Sequence, residues 1–159
     1  MSEYEINKDT FAILPIGKTQ SRIIEKDHTF IVNVTPMQII SDNCSYFGSS
    51  YNGRFSGTKK LIGVSHKAPI IIEETNEVIF FPTNSPRLDD CAWISLKNLY
   101  NYKRNNENSM VIFTNGDLLD LDISYGILDN QVLRAARLES VLRIRKNNIC
   151  SNEKVNWPK

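Results

Sequence analysis

The chain has 159 residues, 41% of them hydrophobic and 23% charged, and a net charge of +1. That length suits one domain with its own core, and the apolar and charged content excludes disorder. The absence of any apolar run of about 20 residues excludes a membrane-spanning helix, and the near-zero net charge excludes a uniformly basic nucleic-acid binder. The acidic, polar start MSEYEINKD is not that of a signal peptide. Three widely spaced cysteines, odd in number, read as reduced thiols in a cytoplasmic protein.

In chain order, residues 4–7, 11–16, 20–25 and 28–34 read as short strands. Phe11, Ile13, Ile23, Ile24, Phe30 and Val32 supply their β-favouring apolar side chains. Thr35 then reads as an N-cap with Pro36 at the first helical position. Met37, Ile40, Cys44 and Phe47 share one stripe, which predicts a helix near 36–47 ended by a left-handed Gly48. Cys44 is therefore a core thiol.

Residues 44–72 follow, dense in glycine, serine, aromatics and cations. Their only ionised side chains are Arg54, Lys59, Lys60 and Lys67. The segment reads as a loop, because Gly48, Gly53 and Gly57 permit tight turns and close backbone approach. Arg54 sits at the tip of an Asn52-Gly53-Arg54 turn, placed either to enter a minor groove or to lie solvated. A Walker loop is excluded, since Arg54-Phe55 follows Gly53 where Lys and Ser/Thr are required. Ser65, His66 and Lys67 can all donate to phosphate oxygens; equally they form a polar turn into the next strand.

Ile70 to Ile72 and Val78 to Phe81 read as a hairpin joined by the polar Glu73 to Glu77. Its continuous apolar runs require cover on both faces, from a core or from a dimer interface. Pro82 to Asp90 is a loop. Cys91 begins a strand, with a helix from Leu96 as the alternative, and Lys103 to Asn108 is a polar loop. Asn115-Gly116 predicts a two-residue hairpin turn between 110–114 and 117–123, with Leu119, Leu121 and Ile123 on one face.

A basic helix is predicted over 128–146. At about 100° per residue, Leu128, Val132, Ala135, Leu138 and Leu142 fall within about 120°. Arg134, Arg137 and Arg145 fall within a separate arc of about 80°. These arginines face either phosphates or the acidic middle of the chain. Residues 73–130 hold ten acidic side chains against four basic ones, and residues 131–159 hold seven basic ones against two acidic. Such a distribution can build one cationic face on a neutral protein. No second helix precedes this one at helix-turn-helix spacing, so no major-groove recognition helix is expected. The cysteines and histidines form neither a paired-ligand metal pattern nor a nucleophile motif, so no enzyme, metal or cofactor is expected.

The blocks FGSSYNGR (47–54), GT (57–58), SHKAPI (65–70), FFPT (80–83), CAWIS (91–95), FTNG (113–116), ISY (123–125) and NQV (130–132), with RIIEKD (22–27), resemble the ComK family in content and order. These are competence transcription factors of low-GC Gram-positive bacteria. The resemblance implies a cytoplasmic, nucleoid-associated activator of DNA-uptake genes. Its partners would be A·T-rich promoter DNA, read in the minor groove, a second copy in a dimer with two dimers per promoter, and RNA polymerase. It would use Arg54, Lys59, Lys60, Ser65, His66, Lys67, Arg134 and Arg137.

The family's usual longer C-terminal tail contributes to activation and to recognition by a proteolytic adaptor. This chain stops at Lys159, which places those tail functions in doubt. A shortened paralogue that binds DNA and modulates a full-length partner is one alternative. A protein-interaction module without DNA binding is another. The fold expected is a single α+β domain over 1–150, mainly antiparallel sheet, with a short flexible tail over 151–159.

Overall fold

The computed structural model describes residues 3–150. The expected tail over 151–159 lies outside them.

Three strands open the fold: β1 (Thr10–Ile16), β2 (Gln20–Glu25) and β3 (Thr29–Val32). Two helices follow, α1 (Pro36–Tyr46) and α2 (Tyr51–Ile62). Strands β4 (Ile70–Glu73), β5 (Val78–Pro82) and β6 (Trp93–Ser95) complete a six-stranded sheet of order β3-β2-β1-β6-β5-β4. A second sheet runs β7 (Leu99–Asn105), β8 (Asn108–Phe113), β9 (Leu118–Leu121), and α3 (Tyr125–Cys150) closes the chain. Every strand pairing is antiparallel. The single-domain α+β fold expected from the sequence is the fold observed.

The large sheet is a wall shared by two cores. Ile13, Ile23, Ile70, Ile72, Phe80 and Trp93 meet Ile39, Ile40 and Cys44 of α1 on one face. Phe11, Ile71, Ile79, Phe81 and Ile94 meet Val111 and Phe113 of the small sheet and Leu128, Ala135 and Leu138 of α3 on the other. The apolar runs of β4 and β5 are therefore covered within one chain. The five apolar positions of the α3 stripe are all buried.

Thr35 caps α1 through its side chain, Pro36 is the first helical residue, and Gly48 has φ +86° just beyond the end. Residues 4–7, expected as a strand, are an irregular segment. Asn43 of α1 supplies the hydrogen bonds that a neighbouring strand would have made. Its Oδ1 accepts from Ile6 N at 2.9 Å and its Nδ2 donates to Tyr4 O at 3.0 Å. This lets Tyr4 and Ile6 enter the core without sheet pairing.

The larger correction is at 51–62, where the glycine-rich loop is a helix. Ser50 caps it by accepting from Gly53 N at 2.9 Å, and Gly63 ends it at φ +73°. Tyr51, Phe55, Leu61 and Ile62 anchor it to the two cores, and the buried Thr58 Oγ1 donates to Pro69 O at 2.7 Å. Each interior glycine costs a helix about 0.5–1 kcal/mol, a penalty that such tertiary packing overrides. Gly53 has a local reason to be there. A Cβ would stand 3.0 Å from Ser49 Oγ and 3.1 Å from Ser50 Oγ, crowding the cap.

Three smaller differences follow. The polar 103–108 segment is a hairpin, with Asn105 paired to Asn108 and Asn106 at φ +56°. Chain after Leu96 continues into β7, so the helix alternative there falls. At Asn115-Gly116 only Gly116 has positive φ, and Gly116 N donates to Phe113 O while Phe113 N donates to Asp117 O. That is a longer turn with a glycine bulge, where two positive φ values were expected. Asn115 instead uses its side chain, donating to Lys26 O and accepting from Asp117 N, each at 2.9 Å.

Candidate nucleic-acid interface

The loop between α2 and β4 carries Ser65, His66 and Lys67. Its backbone is held from behind by α3. Gln131, fully buried, donates through Nε2 to Lys67 O at 2.9 Å and to Pro82 O at 2.8 Å. Arg134 Nη1 donates to His66 O at 2.8 Å and lies 3.3 Å from Gln131 Oε1. Ala68 and Pro69 are buried beneath. Lys67 is fixed at φ +50°, a left-handed conformation uncommon for a residue with a side chain. Anchored this way, the carbonyls face inward. The Ser65, His66 and Lys67 side chains have no hydrogen bond or ion pair among the described residues.

A groove of about 400 Å³ lies beside this loop. Asn52 and Phe55 of α2 form one wall, and Ser85, Pro86 and Arg87 of the β5–β6 connection form another. Arg87 is exposed. Sequence reasoning missed it, because nothing in the chain order joins Ser85-Pro86-Arg87 to Ser65-His66-Lys67. Gln131 was missed for a similar reason: it sits on the buried side of a helix among apolar residues, and its acceptors are 64 and 49 positions away.

The other expected residues separate into groups. Lys59 and Lys60 are exposed in the last turn of α2, where they also complement the helix dipole. Arg134 is half-buried and its guanidinium holds the loop, as described. Arg137 is exposed, one helical turn further, with no partner among the described residues.

Arg54 stands apart. It is not the tip of a turn; it lies in the first turn of α2 with its side chain 12% exposed. Its Nη1 pairs with Glu74 Oε1 at 2.5 Å, and its Nε is buried without a hydrogen bond. Gly48, Ser49, Glu73 and Thr75 surround it, away from the groove residues at His66 and Arg87. Capping by Ser50 turned the expected loop into helix and carried Arg54 against the β4–β5 turn.

The far end of α3 meets the same turn. Arg143 grips Glu77 with Nε and Nη2, both at 3.2 Å, and lies 3.5 Å from Glu139. Hydrogen bonding to Arg143 holds the Glu77 carboxyl below the usual range. Lys146 Nζ donates to the carbonyls of Glu74 and Thr75 at 3.0 and 3.1 Å. The α3 arginine that meets the acidic middle region is thus Arg143, outside the expected set; Arg134, Arg137 and Arg145 have no ion pair among the described residues.

Cys44 and Cys91 are buried, and burial pushes each thiol up to about 11. Neither is an available thiolate near neutral pH. The site is thus a set of outward donors and cations around a groove, on a rigid support, a class of surface suited to an anionic partner.

The family described as ComK protein matches residues 1–147, and this chain belongs to it. The chain is 41% identical over 149 residues to the competence transcription factor of Bacillus subtilis strain 168, covering 91% of this chain and 78% of that protein. No solved structure matches it.

Proposed function

We infer that the chain is a regulator of competence transcription that binds double-stranded promoter DNA. The observation that carries this reading is the loop at Ser65, His66 and Lys67. Its backbone carbonyls are taken by Gln131 and Arg134, and its side-chain donors, beside Arg87, have no partner among the described residues. Phosphate contacts fix position and orientation on a duplex, and such donors are the groups that make them.

Lys59, Lys60 and Arg137 extend this cationic surface, and Arg134 acts as its support. Arg54 serves the fold in this reading. A protein of net charge +1 needs few base contacts if it reads groove shape, and A·T-rich minor grooves concentrate negative potential. Two copies on adjacent boxes gain avidity without any new kind of contact. The regulator acts in the bacterial cytoplasm, at the nucleoid, as an activator that engages RNA polymerase.

The test is fluorescence anisotropy on a duplex with two A·T boxes and on a G·C-substituted control, across a salt series and with a minor-groove ligand as competitor. Preference for A·T boxes that the competitor removes is expected. Equal binding to both duplexes would discard minor-groove recognition. No binding to either would leave the interaction-module reading.

A further inference from the structure

A pocket of about 340 Å³ opens where the first turn of α1, the first residue of α2 and the β5–β6 connection meet over β6. Trp93 of β6 is fully buried at its floor, and the indole Nε1 has no hydrogen-bond partner. Such a donor, cut off from water, carries its full desolvation penalty until an acceptor reaches it. The neighbouring floor residue, Cys91, is already engaged, its Sγ donating to Asn84 O at 3.4 Å. A second free donor lies in the wall. Thr35 Oγ1 accepts from Gln38 N, Thr35 O accepts from Ile39 N, and Pro36 has no N–H. The Met37 N–H, at the positive end of the α1 dipole, therefore has no partner among the described residues.

The rim carries charge. Lys18 and Arg87 stand there with Asp89, all three exposed and none in an ion pair among the described residues. Between rim and floor the wall is apolar, formed by Met37, Leu88 and the Tyr51 ring. We propose that this pocket binds a small monocarboxylic acid with an apolar body. Ligand pockets span about 300–1,000 Å³, so this one suits a small molecule and no folded partner. Two cations against one acid favour a single negative charge, and Asp89 disfavours a phosphate dianion. The carboxylate accepts from the free N–H groups, Lys18 and Arg87 balance its charge, and the body packs on Leu88 and the Tyr51 ring.

The indole is reached only if a wall side chain yields, and Met37, half-buried and unbranched, is suited to do so. Three residues of the pocket, Tyr51, Pro86 and Arg87, also line the groove beside Ser65, His66 and Lys67. An acid that holds Arg87 therefore withdraws one cation from that groove, and occupancy lowers affinity for DNA. This consequence rests on the DNA-binding reading above; the site itself does not.

Intrinsic fluorescence is the direct test, on the whole chain with Trp157→Phe so that Trp93 alone emits. Octanoate and 3-phenylpropionate should each change the emission saturably. Uncharged 1-octanol should bind at least about ten-fold more weakly, for want of a charged acceptor. Leu88→Glu should weaken octanoate binding about ten-fold, by placing a like charge at the rim. Leu88 is 55% exposed, and circular dichroism checks that the variant is folded. A response that does not saturate, octanol binding as well as octanoate, or Leu88→Glu equal to the parent overturns the proposal. Anisotropy on a duplex with a single box, with and without saturating octanoate, reads the coupling. DNA affinity should fall about three-fold in the parent and stay unchanged in Arg87→Ala. Octanoate bound without effect on DNA affinity overturns the coupling alone, and a chain that binds octanoate but no DNA overturns the DNA reading alone.

Discussion

Two turns lie along α3, and each gathers cations. At the β4–β5 turn, Arg54, Arg143 and Lys146 are all engaged by Glu74, Glu77 and local carbonyls. At the α2–β4 loop, one arginine and a buried glutamine hold the carbonyls, and the cations at positions 67 and 87 have no ion pair among the described residues. Both turns look basic in a charge count. The second keeps its charge for a partner, because no acid among the described residues pairs with it. The first is internal fastening.

The strongest way to break this contrast is to remove the support of the loop. Gln131→Leu leaves the part-buried carbonyl of Lys67 and the buried carbonyl of Pro82 without their donor, a loss of about 2–4 kcal/mol. Urea denaturation should show it, and DNA affinity should fall with it. Next, Lys67→Ala with Arg87→Ala should lower DNA affinity at least about ten-fold and reduce the salt slope by about 2, read from anisotropy titrations at several ionic strengths. Arg143→Ala, a cation at the other turn, should leave both quantities unchanged. If the two variants behave alike, the contrast is wrong.

Arg54→Ala sharpens the contrast further. Its packed stem and its pairing to Glu74 suggest a cost of about 1–2 kcal/mol in stability, with DNA affinity within about two-fold of the parent. The smallest effect is one of pH. Glu77 has its carboxyl lowered by Arg143, so the pairing contributes fully above the unfolded carboxylate pKa and is lost as pH falls through the lowered value. Arg143→Ala should therefore be slightly less stable than the parent near pH 7. Thermal melts in increasingly acidic buffers should converge.

Much of this architecture is legible in the chain. Thr35-Pro36 fixes the start of α1, the paired isoleucine and phenylalanine runs fix the β4–β5 hairpin, and the 3.6-residue stripe from Leu128 to Leu142 fixes the buried side of α3. Helix α2 was hidden because Gly53 and Gly57 weaken local propensity, although Ser50 and Gly63 stand where caps belong. Residues 4–7 misled because their apolar side chains alternate as in a strand while their backbone partner is a side chain, Asn43. At the site, Ser65, His66 and Lys67 were visible as donors. Their grouping with Arg87, the diversion of Arg54 to Glu74 and the pairing of Arg143 with Glu77 depend on contacts 20 to 66 positions apart. Local pattern carries no record of those.

The central pairing of the large sheet also sets a timetable. Strand β1 has β2 on one side from the outset, but its other side is completed by β6, through Ala12 with Ile94 and Ile13 with Trp93. A ribosome adding about 5–20 residues per second needs roughly 4–16 s to make the intervening chain. During that interval the nascent protein shows an unpaired strand edge lined by side chains destined for two interiors. That edge needs shielding until β6 is made, and a chain cut short before Trp93 keeps it open to pairing with other chains.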